Sequence, residues 1–180
     1  MRIDDEKQQI RNAIKIRKRS LTFEEKVVRS NRIHEQLSVN SSFVKASTVL
    51  FYWSMKDEVY THVMVEQWSR SKTIILPTVA GDRLELKQYK GTAKMIEGEN
   101  YGIPEPTGPV FKNPEDIDVV IVPGVAFDLK NNRMGRGKAY YDKLLHNLNA
   151  YKLGVCFDFQ LLDSIPVDEL DVKMDLVLTC

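Results

Sequence analysis

The sequence predicts an α/β fold, a single-domain three-layer sandwich in which a mixed, largely parallel sheet is flanked by helices. Three observations carry that prediction. Short apolar runs recur beyond the first 40 residues, namely TVLFYW, TIILP, LELKQY, DVVIVPG, KLGVCF and DLVLT, and several are apolar on both faces, as strands covered from both sides are. Segments with helical spacing stand between them. No repeat, low-complexity tract or linker interrupts the 180 residues, so one domain over 1–180 is expected.

The N-terminal segment reads as two helices. Ile3, Ile10 and Ile14 give the first a narrow apolar stripe, the rest being solvated. Thr22 and Glu25 have the form of a capping box, which starts a second helix carrying Val27, Val28, Ile33 and Leu37, with Ser38 to Ser42 as its polar exit. TVLFYW and TIILP are strands, and the Val59 to Arg70 segment between them is helical through Val63, Met64 and Trp68. LELKQY alternates, which suits an edge or antiparallel strand. Gly91 to Pro114 reads as one long functional loop. DVVIVPG is a buried strand, Ala139 to Leu148 a helix with Leu144, Leu145 and Leu148 on one face, and KLGVCF and DLVLT complete the sheet.

Charge restricts the function. With 26 basic residues against 25 acidic, the net charge of +1 argues against a nucleic-acid coat or a polybasic membrane anchor. No apolar stretch approaches the roughly 20 residues of a spanning helix, and the polar start MRIDDEKQQIRNAIK is unlike a signal, so the cytoplasm is expected; a monomer is the separate expectation. Cys156 and Cys180 lack metal-ligand or CxxC spacing and read as reduced thiols. Any basic site must be local.

One such site stands out in GVAFDLKNNRMGRGKAYYDKLL, Gly124 to Leu145. It lies between a buried strand and a helix, at the carboxyl edge of the sheet, where ligands of open α/β folds bind. Gly135 and Gly137 remove side chains where backbone approaches a ligand, and the helix start beyond them supplies free N–H groups. Arg133, Arg136 and Lys138 add two forks and a point charge, a set suited to a polyphosphate. Asp142 beside a polyphosphate suggests an intervening Mg²⁺. The competing reading is a solvated basic turn, with Asp142 a first-turn residue favoured by the helix dipole. The spacing is not that of a Walker loop.

PGVAFDLKNNRMGRGKAYYDKLL resembles the signature of the 5-formyltetrahydrofolate cyclo-ligase family. KQQIR, SMKDEVYTHVM, ILPTV, YGIPEP and GVCFDFQLLDSIPVDELDVKMDLVLT fall in that family's order, so the resemblance covers nearly the whole chain. It implies a reaction in which ATP and 5-formyltetrahydrofolate, with or without a polyglutamate tail, give 5,10-methenyltetrahydrofolate, ADP and phosphate with Mg²⁺. A formamide is a poor electrophile, so phosphorylating its oxygen to an iminophosphate prepares it for ring closure. That chemistry asks mainly for positioning and charge neutralisation.

The resemblance also implies roles. Arg133, Arg136, Lys138 and Tyr140 are the catalytic candidates, and with Met134, Gly135, Gly137, Ala139 and Tyr141 they form the ATP-binding loop. Lys7 and Arg11, four apart on one helix face, would reach the same nucleotide; a solvated face is the alternative. Glu58 would accept hydrogen bonds from the pterin, Trp53, Met55 and Tyr101 would wall the folate, and the stretch Arg136, Gly137, Lys138, Ala139 and Tyr140 would meet its formyl end. Asp142 and Asp175 are the implied metal ligands, a turn role being the alternative for Asp175. Asp158 and Gln160 suit either a supporting or a structural role, and His34, His62 and His146 form no cluster.

Two positions depart from the family's usual pattern, Asn131 and Ala139, each where glycine is common. Asn tolerates a left-handed turn, whereas Ala139 matters if the position needs positive φ or close phosphate approach. Other classes remain in view. Sugar-phosphate isomerases and CoA transferases share this kind of sheet but would need neither ATP nor Asp142 with a metal. An RNA-binding module sits poorly with the near-neutral charge, and a noncatalytic folate binder would keep Glu58 without the basic loop.

Overall fold

The computed structural model of the chain describes residues 3–98 and 102–180. Helices α1 (Ile3–Arg19), α2 (Phe23–Val39) and α3 (Ser41–Lys45) lead into β1 (Thr48–Leu50), α4 (His62–Trp68), β2 (Thr73–Ala80) and β3 (Arg83–Gln88). A short hairpin, β4 (Met95–Glu97) and β5 (Pro104–Pro106), precedes β6 (Val119–Pro123), β7 (Ala126–Asp128) and β8 (Arg133–Met134). The chain ends through α5 (Tyr140–His146), β9 (Tyr151–Cys156), β10 (Leu161–Leu162) and β11 (Leu176–Thr179).

The main sheet has the order β11-β9-β6-β1-β2-β3. Its first five strands run parallel, and β3 closes one edge antiparallel to β2. Both faces are buried because successive residues alternate between two cores. Val49, Ile74, Val119 and Ile121 join Ile33 and Leu37 of α2, Phe43 of α3 and Met64 of α4. Leu50, Ile75, Val120 and Val122 join Leu145 of α5 and Leu148 on the other side. Each fully buried side chain of this kind contributes about 1.5–3 kcal/mol. The expected mixed, largely parallel sheet flanked by helices is what forms.

Local signals account for several boundaries. The Thr22 hydroxyl accepts the Glu25 N–H at 3.2 Å while the Glu25 carboxylate accepts the Thr22 N–H at 2.8 Å, the reciprocal capping box that starts α2. The Gly91 to Pro114 region, expected as one long functional loop, holds the antiparallel pair β4 and β5. The segment after β6, expected only to connect a strand to a helix, also carries strands. There β7 pairs with β8 and β10 in a second, three-stranded sheet beside the first.

α1 departs from its predicted apolar stripe. Ile14 is buried and Ile10 packs on the small core around Ala126, but Ile3 is exposed, and the other buried side chains of the helix are Lys7 and Lys18. The helix therefore docks largely through charge. Lys7 reaches Asp168 at 2.7 Å and Asp171 at 2.8 Å, both in the segment between β10 and β11. Burial alone would lower the Lys7 pKa, and the two carboxylates outweigh it and hold the ammonium above its usual value.

Candidate active site

The site is built at the carboxyl ends of the parallel strands. β6 ends at Pro123, and the next turn is held from below by Gln160, whose amide donates to the Gly124 carbonyl at 3.0 Å and the Val125 carbonyl at 2.9 Å. The β7–β8 hairpin then leaves and returns, delivering Arg133 to the same edge. A loop from Gly135 to Ala139 leads to α5. A cavity of about 460 Å³ lies between this loop and the chain after β1, with β2 and β3 contributing Pro77, Val79 and Leu84 to its apolar wall. That volume lies within the roughly 300–1,000 Å³ of small-molecule sites.

The cavity brings together most of the predicted residues. Trp53, Met55 and Glu58 line one side, and Arg133, Gly135, Arg136, Lys138, Ala139, Tyr140, Tyr141 and Asp142 line the other. The Trp53 indole is backed by the His62 imidazole, stacked at 3.9 Å with planes 15° apart. Burial lowers the His62 pKa, against the opposing pull of its hydrogen bond to the Ser54 carbonyl. Glu58 accepts the Met55 N–H at 2.9 Å through one oxygen and Arg136 at 3.2 Å through the other. The Tyr140 hydroxyl donates to the Gly81 carbonyl at 3.3 Å, tying α5 to the β2–β3 turn.

The loop itself is unusually open in hydrogen bonding. Among the described residues, no main-chain N–H from Gly135 to Ala139 donates to a protein acceptor. Five successive donors without protein partners are available to an anion. Arg11 secures the loop from α1, its Nε donating to the Gly135 carbonyl at 3.1 Å. Gly137 has φ +92, and a side chain at Gly135 would approach the Arg133 guanidinium to 3.0 Å. Ala139 takes φ 54 and ψ 13, the left-handed region, immediately before α5.

Arg133 is 3% exposed and donates to Asp142 at 2.5 Å, with its guanidinium 5.8 Å from the Tyr141 ring centroid. Burial pushes the Tyr141 phenol far above its usual pKa, so it stays protonated. One Asp142 oxygen is thus committed to Arg133, while Oδ2 takes no hydrogen bond among the described residues. No cluster of three carboxylate, histidine or cysteine groups able to hold a metal exists among those residues. Asp142 fits Mg²⁺ only as a single ligand beside phosphate oxygens, the usual mode for that ion.

These features point to one family. The chain matches the model of the 5-formyltetrahydrofolate cyclo-ligase family over residues 3–180. The chain belongs to that family. It is 27% identical to the 5-formyltetrahydrofolate cyclo-ligase of Mus musculus over 98% of this chain and 94% of that protein. Identity to the Escherichia coli protein of the same name is 29%, over 92% of this chain and 96% of the other. The solution structure of Aquifex aeolicus 5,10-methenyltetrahydrofolate synthetase superposes with a TM-score of 0.87 at 34% identity, covering 96% of this chain and 89% of that one.

Not every residue implied by the family resemblance meets the cavity. Asp175 stands at the opposite end of the parallel strands, where its carboxylate accepts the Lys152 N–H at 2.7 Å, so it is a strand-start cap and not a partner of Asp142. Lys7 is turned to Asp168 and Asp171, leaving Arg11 as the member of that pair that reaches the loop. Met134 is buried beside Ala126 and Ile165, and its carbonyl accepts the Val125 N–H at 2.7 Å, which makes it the root of the loop. Tyr101 lies outside the described residues. Asp158 pairs with Arg29 at 2.7 Å.

Sequence reasoning missed the second layer around the loop. Arg136 is held by Asp57 at 2.7 Å as well as by Glu58, and Lys18 stands 3.6 Å behind Asp57. Asp57 was readable as half of an acidic pair in SMKDEV; Lys18 gave no signal, because nothing local marks a lysine that will be buried. Among the described residues no helix is long and apolar enough to cross a membrane, and both cysteines are free.

Proposed function

We propose that the chain is an ATP- and Mg²⁺-dependent 5-formyltetrahydrofolate cyclo-ligase acting through a phosphorylated formyl intermediate. The observation that carries this reading is the run of unpartnered N–H groups from Gly135 to Ala139, in a loop whose Gly135, Arg136, Lys138 and Ala139 line the same cavity as Trp53 and Glu58. Donors for a polyphosphate and a carboxylate for a pterin are therefore within reach of a single substrate pair.

The loop and the start of α5 receive the triphosphate, with Arg11 fixing the loop and Arg133, Arg136 and Lys138 neutralising its charge. Trp53 and Met55 wall the pterin, and Glu58 accepts its amino and ring N–H groups. The formyl oxygen attacks the γ-phosphorus and ADP leaves. The neighbouring amine nitrogen then attacks the activated carbon, loses its proton and expels phosphate, leaving the methenyl bridge. Mg²⁺, held by the free oxygen of Asp142 and by phosphate oxygens, would supply further charge neutralisation. Arg133, fixed by Asp142 and stacked on Tyr141, keeps its orientation without reorganising, which is the condition for strong electrostatic stabilisation.

The test is spectrophotometric. Purified protein is mixed with 5-formyltetrahydrofolate and Mg²⁺, with and without ATP, and the methenyl chromophore is followed while ADP is counted. One ADP per chromophore, with neither formed in the absence of ATP, is expected. Folded protein that binds folate yet forms no chromophore would make this a binding protein.

A further inference from the structure

The Arg136 side chain occupies a position that concerns both substrates at once. Its Nη2 donates to Asp57 Oδ1 at 2.7 Å and to Glu58 Oε1 at 3.2 Å, although Arg136 belongs to the loop and Glu58 to the opposite wall. Glu58 is 11% exposed at its side chain, and its other oxygen already serves the Met55 N–H, so Oε1 is the oxygen left for a ligand. Arg136 thus covers the acceptor that the folate reading assigns to the pterin. Asp57 is itself shared, with Lys18 3.6 Å from its second oxygen and only 5% exposed. Burial would raise the Asp57 pKa, but Lys18 and Arg136 outweigh it and keep the carboxyl below its usual range.

We propose that Arg136 couples the two substrate sites, leaving Glu58 for the phosphates when nucleotide binds, with Asp57 as the positioning residue that sets how tightly Arg136 holds Glu58. This rests on the cyclo-ligase reading of the cavity. A guanidinium 46% exposed at its side chain is held weakly by carboxylates and is readily drawn to a triphosphate that offers several anionic oxygens. Its departure frees Glu58 Oε1 for a neutral donor on the pterin. ATP therefore tightens folate binding, and by reciprocity folate tightens ATP binding by the same factor. The half-exposed pair places that factor near the low end of the usual range, about five-fold.

The experiment measures equilibrium binding of 5-formyltetrahydrofolate with and without a non-hydrolysable ATP analogue, in the wild type and in two variants. The wild type is expected to bind folate about five-fold more tightly with the analogue. Arg136→Gln removes the competitor, so its nucleotide-free folate affinity rises toward the analogue-loaded wild type and the coupling falls to near one. Asp57→Asn shifts Arg136 onto Glu58, so nucleotide-free folate affinity falls and the coupling grows. A purely structural role for Asp57 would not produce opposite signs in the two variants. Where Asp57→Asn alone leaves the buried Lys18 unpaired and misfolded, the double change Lys18→Met with Asp57→Asn removes both charges and should show the same enlarged coupling. An uncoupled wild type, or an Arg136→Gln protein that binds folate alone no better than the wild type, overturns the proposal. A wild type that binds neither ligand overturns the cyclo-ligase reading, and the coupling with it.

Discussion

Between Asp128 and Asn132 every main-chain N–H is engaged, whereas between Gly135 and Ala139 none is, among the described residues. The two stretches flank β8 and both contain a non-glycine residue at positive φ, Asn131 at 63 and Ala139 at 54. In the first, the Asp128 carboxylate gathers the N–H groups of Lys130 and Asn132 at 2.9 Å, the Asn132 amide at 2.8 Å and the Ile165 N–H at 3.2 Å. That turn is complete without a ligand. The second spends its glycines and its left-handed residue on holding donors apart from protein acceptors, so its free energy is recovered only when an anion arrives. Adjacent segments of similar polarity can therefore have opposite sensitivities, one to stability and the other to turnover.

The largest test of this contrast is Lys138→Ala. Removing one stabilising charge from a preorganised site lowers turnover by about 100- to 1,000-fold, while thermal unfolding should shift by less than about 2 °C because an exposed loop side chain contributes little. Turnover and melting are measured on the same preparation. A large drop in melting temperature with the activity loss would mean that the loop is as structural as the turn.

Asp128→Asn should behave in the opposite way. Losing a charged acceptor of four donors costs about 2–3 kcal/mol of stability in urea unfolding at neutral pH, with turnover per folded molecule little changed. Burial would raise the Asp128 pKa, but the donors of Asn132, Ile165 and Lys130 outweigh it and hold the carboxyl below its usual range. Its stabilisation is therefore complete above the unfolded pKa of about 4 and is lost as pH falls through the lower folded value. The stability gap between wild type and variant should persist from pH 7 to about pH 4 and narrow only in stronger acid. A gap that widens on acidification would contradict the assigned role.

The sequence disclosed the sheet well because its strands are apolar on both faces, a pattern that needs no partner to be read. Val119 to Val122 declare burial whichever strand lies beside them. The cavity lining was legible where its residues lie close together in one segment, as Gly135, Arg136 and Lys138 do. It was not legible where the partner is distant. Lys7 meets Asp168 across 161 positions, and no periodicity in α1 marks that pairing. The ion pair between Asp142 and Arg133 was likewise hidden, because the two meet only after the chain has turned from β8 into α5. Asp175 shared its place before a strand with both a ligand and a cap, and only the direction of β11 puts it at the end of the sheet opposite the cavity.

Ala139→Gly comes next in size. An L-residue in the left-handed region carries a penalty of roughly 1–2 kcal/mol, partly offset by the greater unfolded-state freedom of glycine, so a gain of about 1 kcal/mol is expected. The melting temperature should rise by about 2–4 °C for a chain of this length. No change would mean that the backbone at this position relaxes out of positive φ in solution.

Asn131→Gly is the smallest change and the control for the last. Asn visits the left-handed region because its short polar side chain bonds locally, and here its amide donates to the Asp175 carbonyl at 3.3 Å. Substitution relieves little strain, loses that long hydrogen bond and adds unfolded-state freedom, so stability should stay within about 0.5 kcal/mol of wild type. The pair of substitutions isolates side-chain chemistry from backbone geometry, since both residues hold nearly the same φ on either side of β8. A gain at Asn131 equal to that at Ala139 would show that the strain is generic to the left-handed positions. A gain confined to Ala139 would place the stored strain in the open loop, whose donors wait for a ligand.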